Sequence, residues 1–167
     1  MLLALVPALL LAGCETAPTR SKAAANDYPA LTGRVVDAAH ILAPAARNVL
    51  EQELARAEAK TKHQMVVVTV ASLHGREIAD YGVGLGRSWG IGRNGINDGV
   101  LLIVAPTEHK VRIEVGIGLE GVLRDEEAGH IIQTDILPRF RVGDLPAGIA
   151  AGTKAILHEI DVPGATP

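Results

Sequence analysis

Three acidic residues flank a pair of apolar segments in the middle of the chain. Asp98 precedes the apolar run Leu101–Val104, and Glu120 and Asp125 follow the alternating segment Val111–Val115. The continuous run is typical of a buried strand, and the alternation is typical of a half-buried one. Two strands joined by so short a turn run antiparallel, so the start of the first and the end of the second lie at the same edge of the sheet. The sequence therefore predicts that the three carboxylates gather in one neighbourhood.

Carboxylates gathered on loops are the ligands that hard cations such as Ca²⁺ prefer. Asp37, which ends a short extended segment, is a fourth candidate, although the hairpin does not fix its edge of the sheet. Each acid also has a structural alternative. Asp125 could cap a helix or lie in its first turn, Asp98 could belong to a turn with Gly99, and Asp37 could bind the backbone of the following turn. We predict a divalent-cation site, with calcium as the first choice, formed by Asp98, Glu120, Asp125 and Asp37.

A glycine motif follows the second strand of the hairpin. Gly116–Gly121 matches the G-x-G-x-x-G pattern of dinucleotide-binding proteins. That fingerprint belongs to the first strand of a parallel βαβ unit, whereas here it follows the return arm of a hairpin. We therefore predict no nucleotide cofactor. The glycines are expected to form a loop of positive backbone torsions that a ligand or another strand can approach closely.

Nucleophilic and zinc chemistry have little support in the sequence. No serine lies in a G-x-S-x-G elbow, and the six histidines are scattered singly, without zinc-ligand spacing. Trp89 is interpreted as a packing anchor whose indole N–H is bonded nearby. Binding of an anionic substrate would need a basic group beside the acidic loops. The candidates for it are Arg93, Arg112 and Arg124, with Arg124 first.

The composition argues against nucleic-acid binding. The chain of 167 residues has a formal net charge of -3, and only 2% of its residues are aromatic. It therefore offers neither a basic surface for phosphates nor aromatic platforms for bases.

Helical and strand-like segments alternate along the chain. A helix is predicted over 44–62, a buried strand over 65–70, a glycine-weakened helix over 77–89, a helix carrying Ala128 and Ile131 that ends near Pro138, and a last helix around 149–160. Together with the hairpin, this order predicts the α/β class: an α/β/α sandwich with a small mixed sheet that includes one antiparallel hairpin.

The N-terminus carries a short apolar segment that ends in Leu11-Ala12-Gly13-Cys14. This run resembles the lipobox of bacterial lipoproteins, which implies removal of residues 1–13 as a signal peptide and acylation of Cys14, for example by palmitate. The alternatives are an ordinary secretory signal or a short membrane anchor. Residues 14–30 have the composition of a flexible tether, residues 31–162 form the domain, and 163–167 form a disordered tail. Because Glu15 is not aspartate, the resemblance implies an outer-membrane address facing the periplasm.

Six motifs in order along residues 31–160 resemble the TPM domain family. They are Gly33-Arg34-Val35-Val36-Asp37, Val66-Val67-Val68, Trp89-Gly90-Ile91-Gly92, Asp98-Gly99-Val100-Leu101-Leu102, Arg112-Ile113-Glu114-Val115-Gly116 and Gly118-Leu119-Glu120-Gly121.

The resemblance implies an α/β/α sandwich in an extracytoplasmic space, with Asp37, Asp98, Glu120 and Asp125 in an acidic groove that binds a divalent cation. It also implies a protein partner in envelope maintenance or membrane-complex assembly, with a metal-dependent phosphatase as the alternative. The chain departs from many bacterial relatives in two ways. We expect no C-terminal transmembrane helix with a glycine-rich tail, and Ile117 stands where an aromatic residue is frequent.

Overall fold

The computed structural model describes residues 28–161, and its centre is a four-stranded sheet in the order β1-β2-β3-β4. The strands are β1 (Val35–Asp37), β2 (Gln64–Thr69), β3 (Gly99–Ala105) and β4 (Lys110–Val115). The first three run parallel, and β4 returns antiparallel to β3. The predicted mixed sheet with one antiparallel hairpin is confirmed.

Helices cover both faces of this sheet. They are α1 (Pro44–Thr61), α2 (Ile78–Trp89), α3 (Asp125–Ile131), α4 (Leu137–Arg141) and α5 (Leu145–Ile160), and a short 3-10 turn spans Ile117–Leu119. Residues of α1, α3 and α5 share one core cluster with one face of the sheet, whereas α2 shares a second cluster with the other face. The α/β/α sandwich is therefore confirmed.

The position of β3 between two helical layers explains why its sequence is continuously apolar. Val100, Leu102 and Val104 belong to the core on the side of α1 and α5, while Leu101 and Ile103 belong to the core on the side of α2. A strand between two helical layers has no solvent face, so no position on it favours a polar residue. This burial places β3 in the middle of the domain.

The helix that was predicted to end near Pro138 continues past it. After α3, residues Ile132–Ile136 form a π-helical segment, and α4 carries the chain on to Arg141 with Pro138 in its first turn. Proline has no N–H, and its ring excludes the carbonyl four residues earlier. A local π-helical turn removes that conflict without ending the helix, which is why the proline was a misleading stop signal.

The glycines of α2 allow close packing. A Cβ on Gly82 would lie 2.9 Å from Ile103 Cδ1, and a Cβ on Gly84 would overlap the Tyr28 hydroxyl. Trp89 donates from Nε1 to the carbonyl of Pro29 at 3.0 Å, so its predicted role as a packing anchor is confirmed. Tyr28 and Pro29, which the sequence placed in the tether, therefore pack on α2.

Residues 1–27 and 162–167 lie outside the described part of the chain. The predicted signal peptide, the lipidation site Cys14, most of the tether and the C-terminal tail fall on them. Between residues 28 and 161, no helix has the length and apolar character needed to cross a membrane.

Candidate functional site

The base of the β3–β4 hairpin is held by backbone hydrogen bonds beyond the strands. Gly116 donates to the carbonyl of Gly99 at 2.8 Å, and Gly118 donates to the carbonyl of Asn97 at 3.1 Å. These bonds place the loop before β3 directly against the loop after β4. The predicted neighbourhood therefore exists, although its acids take different positions in it.

Asp98 lies beneath the surface of this neighbourhood, with 0% of its area exposed. Its Oδ1 accepts from the Arg93 amide at 2.8 Å. Its Oδ2 accepts from Arg93 Nε at 2.7 Å, Arg93 Nη2 at 2.6 Å and His63 Nδ1 at 2.9 Å. Both carboxylate oxygens are therefore used by the protein, and Asp98 fixes the loop of residues 93–98 at the start of β3.

The same contacts determine the ionisation of Asp98. Burial alone would raise the pKa of this carboxyl, but hydrogen bonds from the Arg93 side chain and amide and from His63 outweigh that effect and lower the pKa to about 2. The folded-state pKa thus lies below the ordinary value of 3.8.

We expect this shift to appear in the acid unfolding of the protein. A lowered folded-state pKa stabilises the fold above the ordinary pKa and is lost as the pH falls through the folded-state value. The contribution of Asp98 should be complete above about pH 4 and should disappear towards pH 2. Urea unfolding between pH 5 and pH 2 measures it: the decline in stability should be shallower in Asp98→Asn, and equal slopes in the two proteins would contradict the assignment.

Asp37 lies at the opposite end of the sheet from Asp98. It pairs in register with Thr69 at the end of β2, whereas Asp98 precedes Gly99, which pairs with Gln64 at the start of β2. The Asp37 carboxylate accepts from the amides of Ile41 and Leu42 at 3.1 and 3.0 Å. Asp37 therefore stabilises the backbone after β1, as its structural alternative predicted, and it is not brought near the other three acids.

Glu120 and Asp125 lie at the surface of the domain, whereas Asp98 is buried. They line a cavity of about 490 Å³ beside the end of β4, together with Glu114 and Glu126. Arg112 and Arg124 also line it. We call this the acidic cavity.

Its two arginines are already paired. Arg112 Nε lies 2.6 Å from Glu114 Oε2, and Arg124 Nη2 lies 2.8 Å from Glu127 Oε1. Within residues 28–161, the acidic cavity thus leaves three carboxylates without a salt bridge to a basic side chain. They are Glu120, Asp125 and Glu126.

Asp125 is the first residue of α3, where an acid is favourable because of the helix dipole. It lies within the first turn rather than at the N-cap position, which Arg124 occupies. In the described part of the chain, no three His, Cys, Asp or Glu side chains already stand close enough to hold a metal ion. A cation in the acidic cavity would therefore need its ligands to rotate inward.

A second cavity adjoins the first. It has a volume of about 610 Å³ and lies between α2, the loop of residues 90–97 and the end of β4. Six glycines line it: Gly82, Gly86, Gly90, Gly92, Gly99 and Gly116. We call it the glycine groove, and it shares Glu114, Val115 and Glu120 with the acidic cavity.

The glycines at the base of the hairpin serve close backbone contact. A Cβ on Gly116 would overlap the carbonyl of Asn97, and a Cβ on Gly118 would overlap the carbonyl of Ile96. The expected positive torsions are absent at these two residues, and they occur instead at Gly90, Gly92 and Gly95 in the preceding loop. That part of the prediction is wrong. Glycine is needed at Gly116 and Gly118 because a Cβ has no room there, and not because the backbone has a positive φ.

A sequence model of the TPM domain matches residues 35–159. The chain belongs to the TPM domain family. No curated protein matches it. Among solved structures, the N-terminal domain of a P. gingivalis protein is 32% identical, with a TM-score of 0.73 over 78% of this chain and 83% of that one.

Two more distant structures share the fold of this TPM domain. The N-terminal domain of cg2496 from Corynebacterium glutamicum is 14% identical, with a TM-score of 0.61 over 80% of this chain and 84% of that one. BA42 from Bizionia argentinensis is 16% identical, with a TM-score of 0.65 over 76% of this chain and 85% of that one.

Sequence reasoning missed two acids of the cavity in this TPM domain. The predicted ligand set included neither Glu114 nor Glu126, although both line the acidic cavity. A usable signal existed for Glu114, because it directly precedes the Val-Gly pair that ends the hairpin. No local signal shows that Arg93 binds Asp98 rather than an anion.

Proposed function

We propose that this TPM domain is an envelope recognition module, which binds a divalent cation in the acidic cavity and a protein partner in the adjoining glycine groove. One observation carries the proposal: the two cavities share Glu114, Val115 and Glu120 as a common wall. A cation on one side of that wall would be placed beside a partner on the other.

The donor set supports a hard cation. Glu120, Asp125 and Glu126 offer carboxylate oxygens only, which suits Ca²⁺ or Mg²⁺ better than softer metals. This assignment changes part of the ligand set that the sequence predicted. Glu120 and Asp125 stay in the proposed site, while Asp98 and Asp37 are engaged by other groups of the protein.

The rim of the glycine groove supports a protein partner. Ile117 is 74% exposed and Val83 is 37% exposed, and both line the groove. Exposed aliphatic side chains at a concave surface are characteristic of interaction sites. The glycine floor lets a bound chain come close to the backbone of the domain.

We further propose that the domain is lipid-anchored at Cys14 to the bacterial outer membrane and faces the periplasm. The support is the lipobox-like run that ends at Cys14. Mass spectrometry of the protein from a bacterial host tests this proposal. It predicts an N-terminal acylated Cys14 and no residues 1–13.

The phosphatase alternative has less support from the site. A phosphatase needs a basic group free to hold the phosphoryl oxygens. The three candidate arginines are instead bound by carboxylates: Arg93 by Asp98, Arg112 by Glu114 and Arg124 by Glu127.

Calorimetric titration of the full chain with CaCl₂ and MgCl₂ tests cation binding. We expect Glu120→Gln with Asp125→Asn to weaken binding by at least about tenfold, because two of the unpaired carboxylates lose their charge. The matched control is Glu53→Gln with Glu159→Gln, which removes the same charge from α1 and α5 outside both cavities.

Equal affinity in the wild type and in Glu120→Gln with Asp125→Asn would contradict the proposed site. Hydrolysis of p-nitrophenyl phosphate is measured on the same samples, and we expect none. Turnover that depends on the cation and is lost in the double variant would assign the cavity to a phosphatase instead.

A further inference from the structure

Strand β4 forms one edge of the sheet, and only β3 pairs with it among the described strands. The hydrogen bond from Gly116 to Gly99 sets the alternation of the antiparallel ladder. Residues 110, 112 and 114 therefore direct their backbone groups towards β3. The N–H and C=O groups of Val111, Ile113 and Val115 point to the free edge.

The sequence along this edge is complementary to itself. Val111-Arg112-Ile113-Glu114-Val115 has an aliphatic residue at its centre, opposite charges on either side and a valine at each end. Reversing the segment about Ile113 places Arg112 against Glu114 and Val111 against Val115. A two-fold axis at Ile113 therefore converts the strand into its own partner.

We propose that two copies of this chain associate by antiparallel pairing of β4 with β4, centred on Ile113, to form one continuous eight-stranded sheet. In this register, all outward backbone groups find partners: Ile113 pairs with Ile113, and Val111 pairs with Val115, in hydrogen-bonded positions. Arg112 and Glu114 then face each other in the non-hydrogen-bonded positions, where cross-strand side chains are closest. Symmetry produces this ion pair twice.

The surroundings of β4 leave room for this contact. The acidic cavity borders Arg112–Val115, and every residue of β4 except Ile113 is partly exposed. Lys110, Arg112 and Glu114 share the sheet face that carries α2, where Lys110 Nζ bonds Glu77 and Glu114 lies beside Gly82. Val111, Ile113 and Val115 face the core on the opposite side. Each face of β4 thus continues into the same face of the second copy.

Sedimentation equilibrium of the full chain in density-matched detergent tests the pairing. EDTA is present, so that cation binding does not enter the result. We expect a dimer for the wild type. Arg112→Glu alone and Glu114→Arg alone should each weaken the dimer by about tenfold or more, because like charges then face each other twice.

The combined Arg112→Glu and Glu114→Arg exchange is the decisive variant. It restores opposite charges both within β4 and across the interface, so the dimer should return to near wild-type strength. A wild type that stays monomeric would overturn the proposal. A combined variant as weak as the single variants would overturn it as well.

A disulfide test fixes the register independently. In a Cys14→Ser background and with diamide as the two-electron oxidant, Arg112→Cys mixed with Glu114→Cys should form a mixed disulfide, since the facing Cα atoms would be about 4.5 Å apart. Arg112→Cys alone should crosslink much less, because its symmetry mate would lie about 8 Å away. Equal crosslinking in both samples would contradict the register.

Discussion

Replacing Asp98 with asparagine is expected to lower the free energy of unfolding by about 3 kcal/mol. Both carboxylate oxygens accept hydrogen bonds, Oδ1 from the Arg93 amide and Oδ2 from His63 and the Arg93 side chain. An asparagine keeps only one acceptor oxygen, so its NH₂ group would face another donor. The Arg93 guanidinium would also lose its counter-charge.

Urea unfolding at pH 7 measures this loss. The control is Glu120→Gln, an exposed acid at the same end of the sheet, which should change the stability by less than about 0.5 kcal/mol. The substitution should also distort the glycine groove, because Asp98 holds the loop that forms one wall of that groove. Equal free energies of unfolding for Asp98→Asn and Glu120→Gln would show that the Asp98 contacts do not stabilise the fold.

Replacing Gly116 with alanine is expected to lower the free energy of unfolding by about 3 kcal/mol. The added Cβ would overlap the carbonyl of Asn97, and that carbonyl is held by the Gly118 amide at 3.1 Å. Moving it away would break this bond and separate the two loops at the base of the hairpin. The loss therefore combines steric strain with a broken hydrogen bond.

Gly121→Ala is the matched control, because it changes the same residue type five positions further along the chain. No heavy atom lies within 4 Å of a Cβ built there, and Gly121 does not have a positive φ. We expect no loss, or a gain of about 0.5 kcal/mol from the stiffer unfolded chain. Thermal unfolding of the two variants side by side makes the comparison, and similar midpoints would contradict the steric argument.

The parts of the fold that are local in sequence could be predicted. The hairpin follows from two adjacent apolar patterns and a short turn, and α1 follows from Pro44 at its start and its apolar spacing. The position of Asp37 was not predictable, because it depends on the parallel pairing of β1 with β2 across an intervening helix. Which strands pair in parallel depends on tertiary packing, and the sequence of a single segment does not show it.

The candidate site was predictable as a neighbourhood but not in its details. The hairpin places Asp98 and Glu120 at one end of the sheet, yet it does not show which of them is buried. That difference depends on Arg93 and His63, which reach Asp98 from separate segments. Glu114 joins the acidic cavity because β4 ends beside α3, and this arrangement is a tertiary one.

The most direct test of the proposed cation site is an amide NMR titration of the full chain with CaCl₂. We predict that the amides of Glu114, Glu120, Asp125 and Glu126 shift progressively, while those of Asp37 and Ile41 at the far end of the sheet stay in place. The opposite pattern, or the absence of any shift at about 10 mM Ca²⁺, would contradict cation binding in the acidic cavity.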